Sequence, residues 1–217
     1  NNKNHFIQQS TIRNIGIRAT TSDYIVSTNV DIIFPNRKDL LEIISKNENE
    51  SKHVFYTINR KNVDMLMTTA IYNNTHTEPD KLRNILSQYV SFRATPNDID
   101  PIGMFKQEAI KQLDPSTSLY QEYVKYARIW NCGDFQMAHR DIWFDIRGFE
   151  EGMLDSAMGT DSNLQKKVCN YGYKLEILNK PDVFHMSHPA RSSQAKRSND
   201  LDYWFVNFDK SRNNESW

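Results

Sequence analysis

The last third of this chain alternates short strand-forming and helix-forming stretches, and acidic and imidazole side chains mark the joints between them. Asp134 to Ala138 reads as a strand and Arg140 to Ile146 as a helix. A second helix is expected from about Ser162 to Tyr171, where Leu164, Val168 and Tyr171 fall four and three residues apart. That spacing packs one face and turns Lys166 and Lys167 outward. Gly172 stands where a helix stop belongs, and Lys174 to Leu178 and Asp182 to Met186 follow as two short strands. Elements interleaved in this way bury their apolar faces as a sheet flanked by helices, so the expected class is α/β.

Upstream, Phe6, Ile12, Ile15 and Ala19 are mostly three or four apart, which predicts a helix over residues 5 to 19 with those side chains buried. Ser22 and Asp23 break it. Tyr24 to Ser27 is short and β-rich, and reads as a central strand whose C-terminal end is Thr28 to Asp31. Ligand sites in open α/β sheets lie at such ends. Asn36 is placed to cap a helix over residues 37 to 46, with Leu40, Leu41, Ile43 and Ile44 as its apolar face. A strand follows at His53 to Ile58. Residues from about 60 to 130 read as an insertion, with a polar loop at Asn73 to Pro79 and a helix at Asp80 to Val90. Residues 191 to 217 turn polar and read as a tail, leaving one domain over residues 1 to 190.

Lys plus Arg and Asp plus Glu number 27 each, so no general attraction to nucleic acid or acidic membranes is implied. Any phosphate binding must be local. No apolar run approaches the roughly 18 residues of a membrane span, so the fragment reads as soluble, either cytoplasmic or attached to a membrane through segments outside it. Cys132 and Cys169 are too few for a disulfide framework, and neither belongs to a Cys-x-x-Cys pair; both read as buried thiols.

Several motifs follow one another in a distinctive order. They are Asn14-Ile15-Gly16, Asn29-Val30-Asp31, Gly133-Asp134-Phe135-Gln136, Trp143-Phe144, Gly148-Phe149-Glu150-Glu151, Asp161 and His185-x-x-His188. In this order they resemble the nucleotide-sugar glycosyltransferases with the GT-A fold, close to family 2 and to the catalytic half of the β-1,4-galactosyltransferases. The resemblance covers about residues 10 to 60 and 131 to 190. It implies a GT-A-like mixed sheet flanked by helices, lacking the N-terminal strand and helix unit that binds the nucleotide base. It also implies an enzyme of the hexosyltransferase type: a sugar moves from a nucleoside diphosphate sugar, such as a UDP-sugar, to the hydroxyl of a glycan or other acceptor, with inversion and with the help of Mn²⁺ or Mg²⁺.

Such a transfer asks for a counter-charge to the departing diphosphate and a base for the acceptor proton. The resemblance assigns the first to Asp31, His185 and His188 as metal ligands, and the second to Asp161, where Thr160 replaces the Glu of the family's Glu-Asp pair. Asn29 stands where the family's Asp-x-Asp motif has its first carboxylate, and a neutral amide lowers the expected metal affinity. Arg13, Asn14, Asn29 and Asp134 are implied donor or diphosphate contacts, and Trp143, Glu150 and Glu151 acceptor contacts. Arg147 replaces the first Gly of the family's Gly-Gly-Phe-Asp-Glu turn. Each residue also has a plainer reading: Asp161 as a helix cap, Trp143 as core, Asp31 as a turn former, and the two His as hydrogen-bonding groups. On a straight strand His185 and His188 face opposite sides, so joint ligation needs a bend before Pro189. The alternative function is a non-catalytic carbohydrate-binding or assembly subunit built on the same fold.

Overall fold

The structure, a computed structural model, describes residues 9–45, 51–74, 77–93, 114–117, 120–121, 133–151 and 160–188. Its spine is the parallel pair of β3 (Val54–Val63) and β5 (Lys174–Met186). The first five residues of β3 are all buried, the pattern of a strand covered on both faces. β4 (Phe135–His139) runs antiparallel to β3 on one side, and β1 (Tyr24–Thr28) runs antiparallel to β4. On the other side the two-residue β2 (Ile32–Ile33) pairs antiparallel with the end of β5. The result is a five-stranded mixed sheet of order β1-β4-β3-β5-β2.

Six helices accompany it among the described residues: α1 (Gln9–Ala19), α2 (Arg37–Ser45), α3 (Met65–Asn73), α4 (Pro79–Arg93), α5 (Arg140–Asp145) and α6 (Thr160–Asn170). The strand register places Ile25, Ala138, Phe55 and Leu175 in one row. Ile17 of α1, Ile142 and Trp143 of α5, and Leu164 and Val168 of α6 close over that row. The opposite face carries Val26, Met137, Tyr56, Phe135 and Ile58, covered by Leu40, Ile43 and Ile44 of α2. A smaller cluster of Val63, Leu86 and Phe184 seats α3 and α4. No helix among the described residues is long and apolar enough to cross a membrane.

Asn36 caps α2 as expected, accepting from the Asp39 N–H at 2.9 Å. Gly172 ends α6 with φ +83°, the left-handed conformation that a residue with a side chain resists. Several expectations need correction. α1 buries Ser10, Asn14 and Ile17, while Ile12 and Ile15 are 51% and 54% exposed, because its inward face is chosen by polar bonds to a turn rather than by apolar spacing. β1 lies at the outer edge of the described sheet rather than at its centre. Lys166 and Lys167 point inward, at 6% and 2% exposure. The two expected C-terminal strands form one, since β5 absorbs the Asn179-Lys180-Pro181 break as a bulge: it runs from Leu178 to Val183 while β3 runs from Ile58 to Arg60. β3 continues to Val63 and α3 follows it, where the sequence suggested an insertion. Cys169 is only part-buried. Phe6, Cys132, most of the 94–132 stretch and the polar tail lie outside the described residues.

Candidate metal and ligand site

The turn between β1 and β2 is what creates the site. β1 ends at Thr28, and four residues later Ile32 pairs with His185 of β5. Asp31 is thereby held against the end of β5, where its carbonyl accepts from the Met186 N–H at 2.8 Å. β5 stops at Met186, and the chain turns so that His188 comes back over the same carboxylate. Asp31 Oδ2 lies 3.3 Å from His185 Nε2 and 3.0 Å from His188 Nε2. The imidazoles meet edge to face, with centroids 5.4 Å apart. One ligand atom from each of the three residues falls within 4.8 Å of the others, a spacing that could hold a metal ion. Asp31 Oδ1 is buried without a hydrogen-bond partner among the described residues. Burial lowers the His185 pKa from its ordinary value, the Arg60 charge adds to this, and Asp134 and Asp31 oppose it. The neutral imidazole that results is the form that ligates.

A second network begins two residues away. Asn29 accepts from Arg13 through its amide oxygen and donates from its amide nitrogen to Asp134 Oδ1. Arg60 of β3 pairs with the other oxygen of Asp134, whose side chain is 2% exposed. Arg13 also bonds Asp161 Oδ1 at 3.2 Å, and its guanidinium lies 4.9 Å from the centroid of the Phe149 ring. Asp161 occupies the first turn of α6, and its carboxylate rests on Gly133, where an added Cβ would meet Oδ1 at 1.8 Å. Gly133 is thus required by close approach. Burial raises the Asp161 pKa above the usual carboxylate value; Arg13 opposes this, Asp134 adds to it, and a hydrogen bond from the Gly133 backbone lowers it. The residue sits inside α6, which begins at Thr160, so its carboxylate serves tertiary partners rather than the helix end.

The structure therefore brings together Asp31, His185 and His188, and beside them Arg13, Asn29, Asp134 and Asp161. The remaining candidates are placed elsewhere. Asn14 is fully buried and clamps the Phe149 turn: its Oδ1 accepts from Phe149 N–H at 2.8 Å, and its amide donates to Phe149 O at 2.8 Å and Glu151 Oε1 at 2.7 Å. Such full engagement leaves it a structural bracket. Trp143 is 0% exposed between Phe55 and Phe149 and donates to Ile25 O at 3.3 Å, so it has no face to offer an acceptor. Glu150 is 6% exposed, and its charge partly offsets the burial of Lys167. The turn before it holds Arg147 and Gly148 at φ 53° and 55°, so Arg147 occupies a conformation that glycine adopts more freely.

Arg60 and Lys167 were missed from the sequence. Arg60 follows an apolar run that had seemed to end at Ile58, and Lys167 lies on a face assigned to solvent. No family model matches the chain, and no curated protein matches it.

Proposed function

We propose that this chain is a metal-assisted, inverting glycosyltransferase of the GT-A kind, acting on a nucleoside diphosphate sugar and a hydroxyl acceptor. The observation that carries this reading is the convergence of Asp31, His185 and His188 from a turn and a strand end far apart in sequence. The donor set fits a divalent cation: two imidazole nitrogens and the Asp31 carboxylate, one oxygen of which is buried without a hydrogen-bond partner among the described residues. Asp31, His185 and His188 would hold it, and two imidazoles favour Mn²⁺ over Mg²⁺, which prefers oxygen. Such an ion, when bound, supplies counter-charge to the departing diphosphate.

The chain's own residues supply the rest. Arg13 and Arg60 place two guanidiniums beside the triad's neighbours and favour an anionic ligand. Asp161, its proton affinity raised by burial, takes the proton of the acceptor hydroxyl, and Gly133 and Arg13 fix its carboxylate in place. The test is a transfer assay on the full-length protein with nucleoside diphosphate sugars and Mn²⁺. His185→Ala and His188→Ala are each expected to weaken cation binding about 10-fold or more. Undiminished transfer in excess chelator overturns the metal assignment. The alternative, a non-catalytic carbohydrate-binding subunit, draws on the internal pairing of Arg13 with Asp161 and of Arg60 with Asp134, linked through Asn29, which balances these charges without substrate. Sugar binding with no turnover across donors and acceptors selects that alternative.

A further inference from the structure

Gln136 is a second polar anomaly beside the site. It is 0% exposed, and both its amide nitrogen and its amide oxygen are buried without a hydrogen-bond partner among the described residues. A buried amide left wholly unmatched is costly, and native structures keep one where something else satisfies it. Its position in the sheet says what that something can reach. Gln136 faces Ser27 on β1 and Thr57 on β3, which makes a buried polar row of three side chains. Side chains two apart on a strand share a face, so Gln136 shares one with Asp134, separated by about 7 Å of strand. Asp134 accepts a hydrogen bond from the Asn29 amide. On the other side of Gln136, Ala138 belongs to the apolar core. The amide therefore marks the boundary at which the polar site meets the core.

We propose that Gln136 reads the sugar of the donor, its amide contributing to a subsite for a hydroxyl-bearing ring beside the Asn29–Asp134 bridge. The inference rests on the glycosyltransferase reading above and names the residue that gives that site its sugar preference. The chemistry of the amide selects the ligand class. Its NH₂ needs an acceptor and its oxygen needs a donor. A hydroxyl group is both, so one or two ring hydroxyls satisfy the whole amide. A phosphate oxygen leaves the amide oxygen unmatched, and a cation leaves the nitrogen unmatched. The neighbouring Asp134 accepts from Asn29, and Asn29 accepts from Arg13, so a ring that reaches Gln136 exchanges some of those bonds for its own.

The test compares wild type with Gln136→Met, which keeps the length of the side chain and removes both polar atoms; Gln136→Leu serves if the Met variant fails to fold. Binding of a nucleoside diphosphate and of the corresponding nucleoside diphosphate sugars is measured by calorimetry, and Tm is read on the free proteins. Affinity for the preferred sugar nucleotide is expected to fall about 10- to 100-fold, as for a lost hydroxyl-reading bond, while affinity for the nucleoside diphosphate holds and Tm does not fall. Equal loss for the sugar nucleotide and the bare nucleotide, or no loss for either, overturns the proposal. A lower Tm with unchanged sugar binding also overturns it, since ordered water then satisfies the amide. If wild type binds no nucleotide, the glycosyltransferase reading fails, and free hexoses decide for Gln136. A hexose-dependent rise in Tm that the variant lacks supports the subsite, and its absence overturns it.

Discussion

Gly133→Ala puts the geometry of Asp161 to a direct test. An added Cβ would fall 1.8 Å from Asp161 Oδ1, 1.9 Å from Cγ and 2.2 Å from Oδ2, whereas ordinary contact begins near 3.4 Å. The carboxylate must therefore retreat by roughly 1.5 Å. All three atoms belong to the far end of one side chain, so the backbone can stay, and the cost is what Asp161 gives up: the Gly133 N–H bond and the 3.2 Å pair with Arg13. One hydrogen bond to a charged group and one part-exposed ion pair come to about 1–3 kcal/mol of stability. Urea denaturation of wild type, Gly133→Ala, Asp161→Ala and the double variant closes a thermodynamic cycle. In the Asp161→Ala background the glycine substitution is expected to cost less than about 0.5 kcal/mol, because the group it displaces is gone. Transfer activity of Gly133→Ala is expected to fall about 10²-fold, the scale of an ångström-sized misplacement of a catalytic group. An equal stability cost in both backgrounds would refute the reasoning.

Asp161→Asn keeps the shape and removes the base, so kcat is expected to fall about 10²- to 10⁴-fold with donor binding nearly unchanged; full transfer activity would remove Asp161 from the chemistry. Asn29→Asp deletes the donor that serves Asp134 and sets a like charge beside it, so it is expected to cost about 1–3 kcal/mol in a melting experiment without tightening the cation. A tighter cation at unchanged stability contradicts that. Burial lowers the Lys167 ammonium to about 8, so the folded state binds this proton less tightly than the unfolded chain does. Stability is therefore expected to climb by about 1–3 kcal/mol as pH rises from about 8 to about 10, and Lys167→Met should remove the climb; a flat wild-type profile refutes it.

The sequence revealed elements more readily than faces. Asn36, Gly172 and the β-rich Tyr24 to Ser27 act through local geometry, and each is found where its type predicts. α1 defeated the apolar pattern, and α6 kept its predicted face at Leu164 and Val168 but buries Lys166 and Lys167 as well, because long-range polar contacts help to fix both helices. Asn14 reaches across 135 residues to Phe149, and Lys167 donates to Gly148 O at 3.2 Å. Nothing in a local window shows such a partner. The site followed the same division. Asp31 and the two His were named together only through the resemblance, since a straight strand would turn His185 and His188 apart; the structure brings all three within reach of one another. Arg60 was not legible, since its role depends on β3 running two residues past its apolar stretch, into the bulge of β5.

The two networks are parts of one electrostatic device. Arg13 and Arg60 set two positive charges against the carboxylates of Asp31, Asp134 and Asp161, while His185 is driven toward neutrality by burial. Two guanidiniums against three carboxyl groups leave the formal charge of the cluster one negative, which suits the capture of a divalent cation under the proposed function. Once such an ion is held the sign reverses, and the same residues favour an anion in a partly desolvated site where charge is weakly screened. Under the proposed function that arithmetic predicts an order of binding, cation first and diphosphate second. Asn29 is the hinge of the arrangement because its amide both accepts from Arg13 and donates to Asp134. A carboxylate there could accept but never donate, and would deepen the negative charge that the cation has to overturn. The amide at Asn29 thus supplies a link that joins Arg13 to Asp134 beside Asp31, His185 and His188.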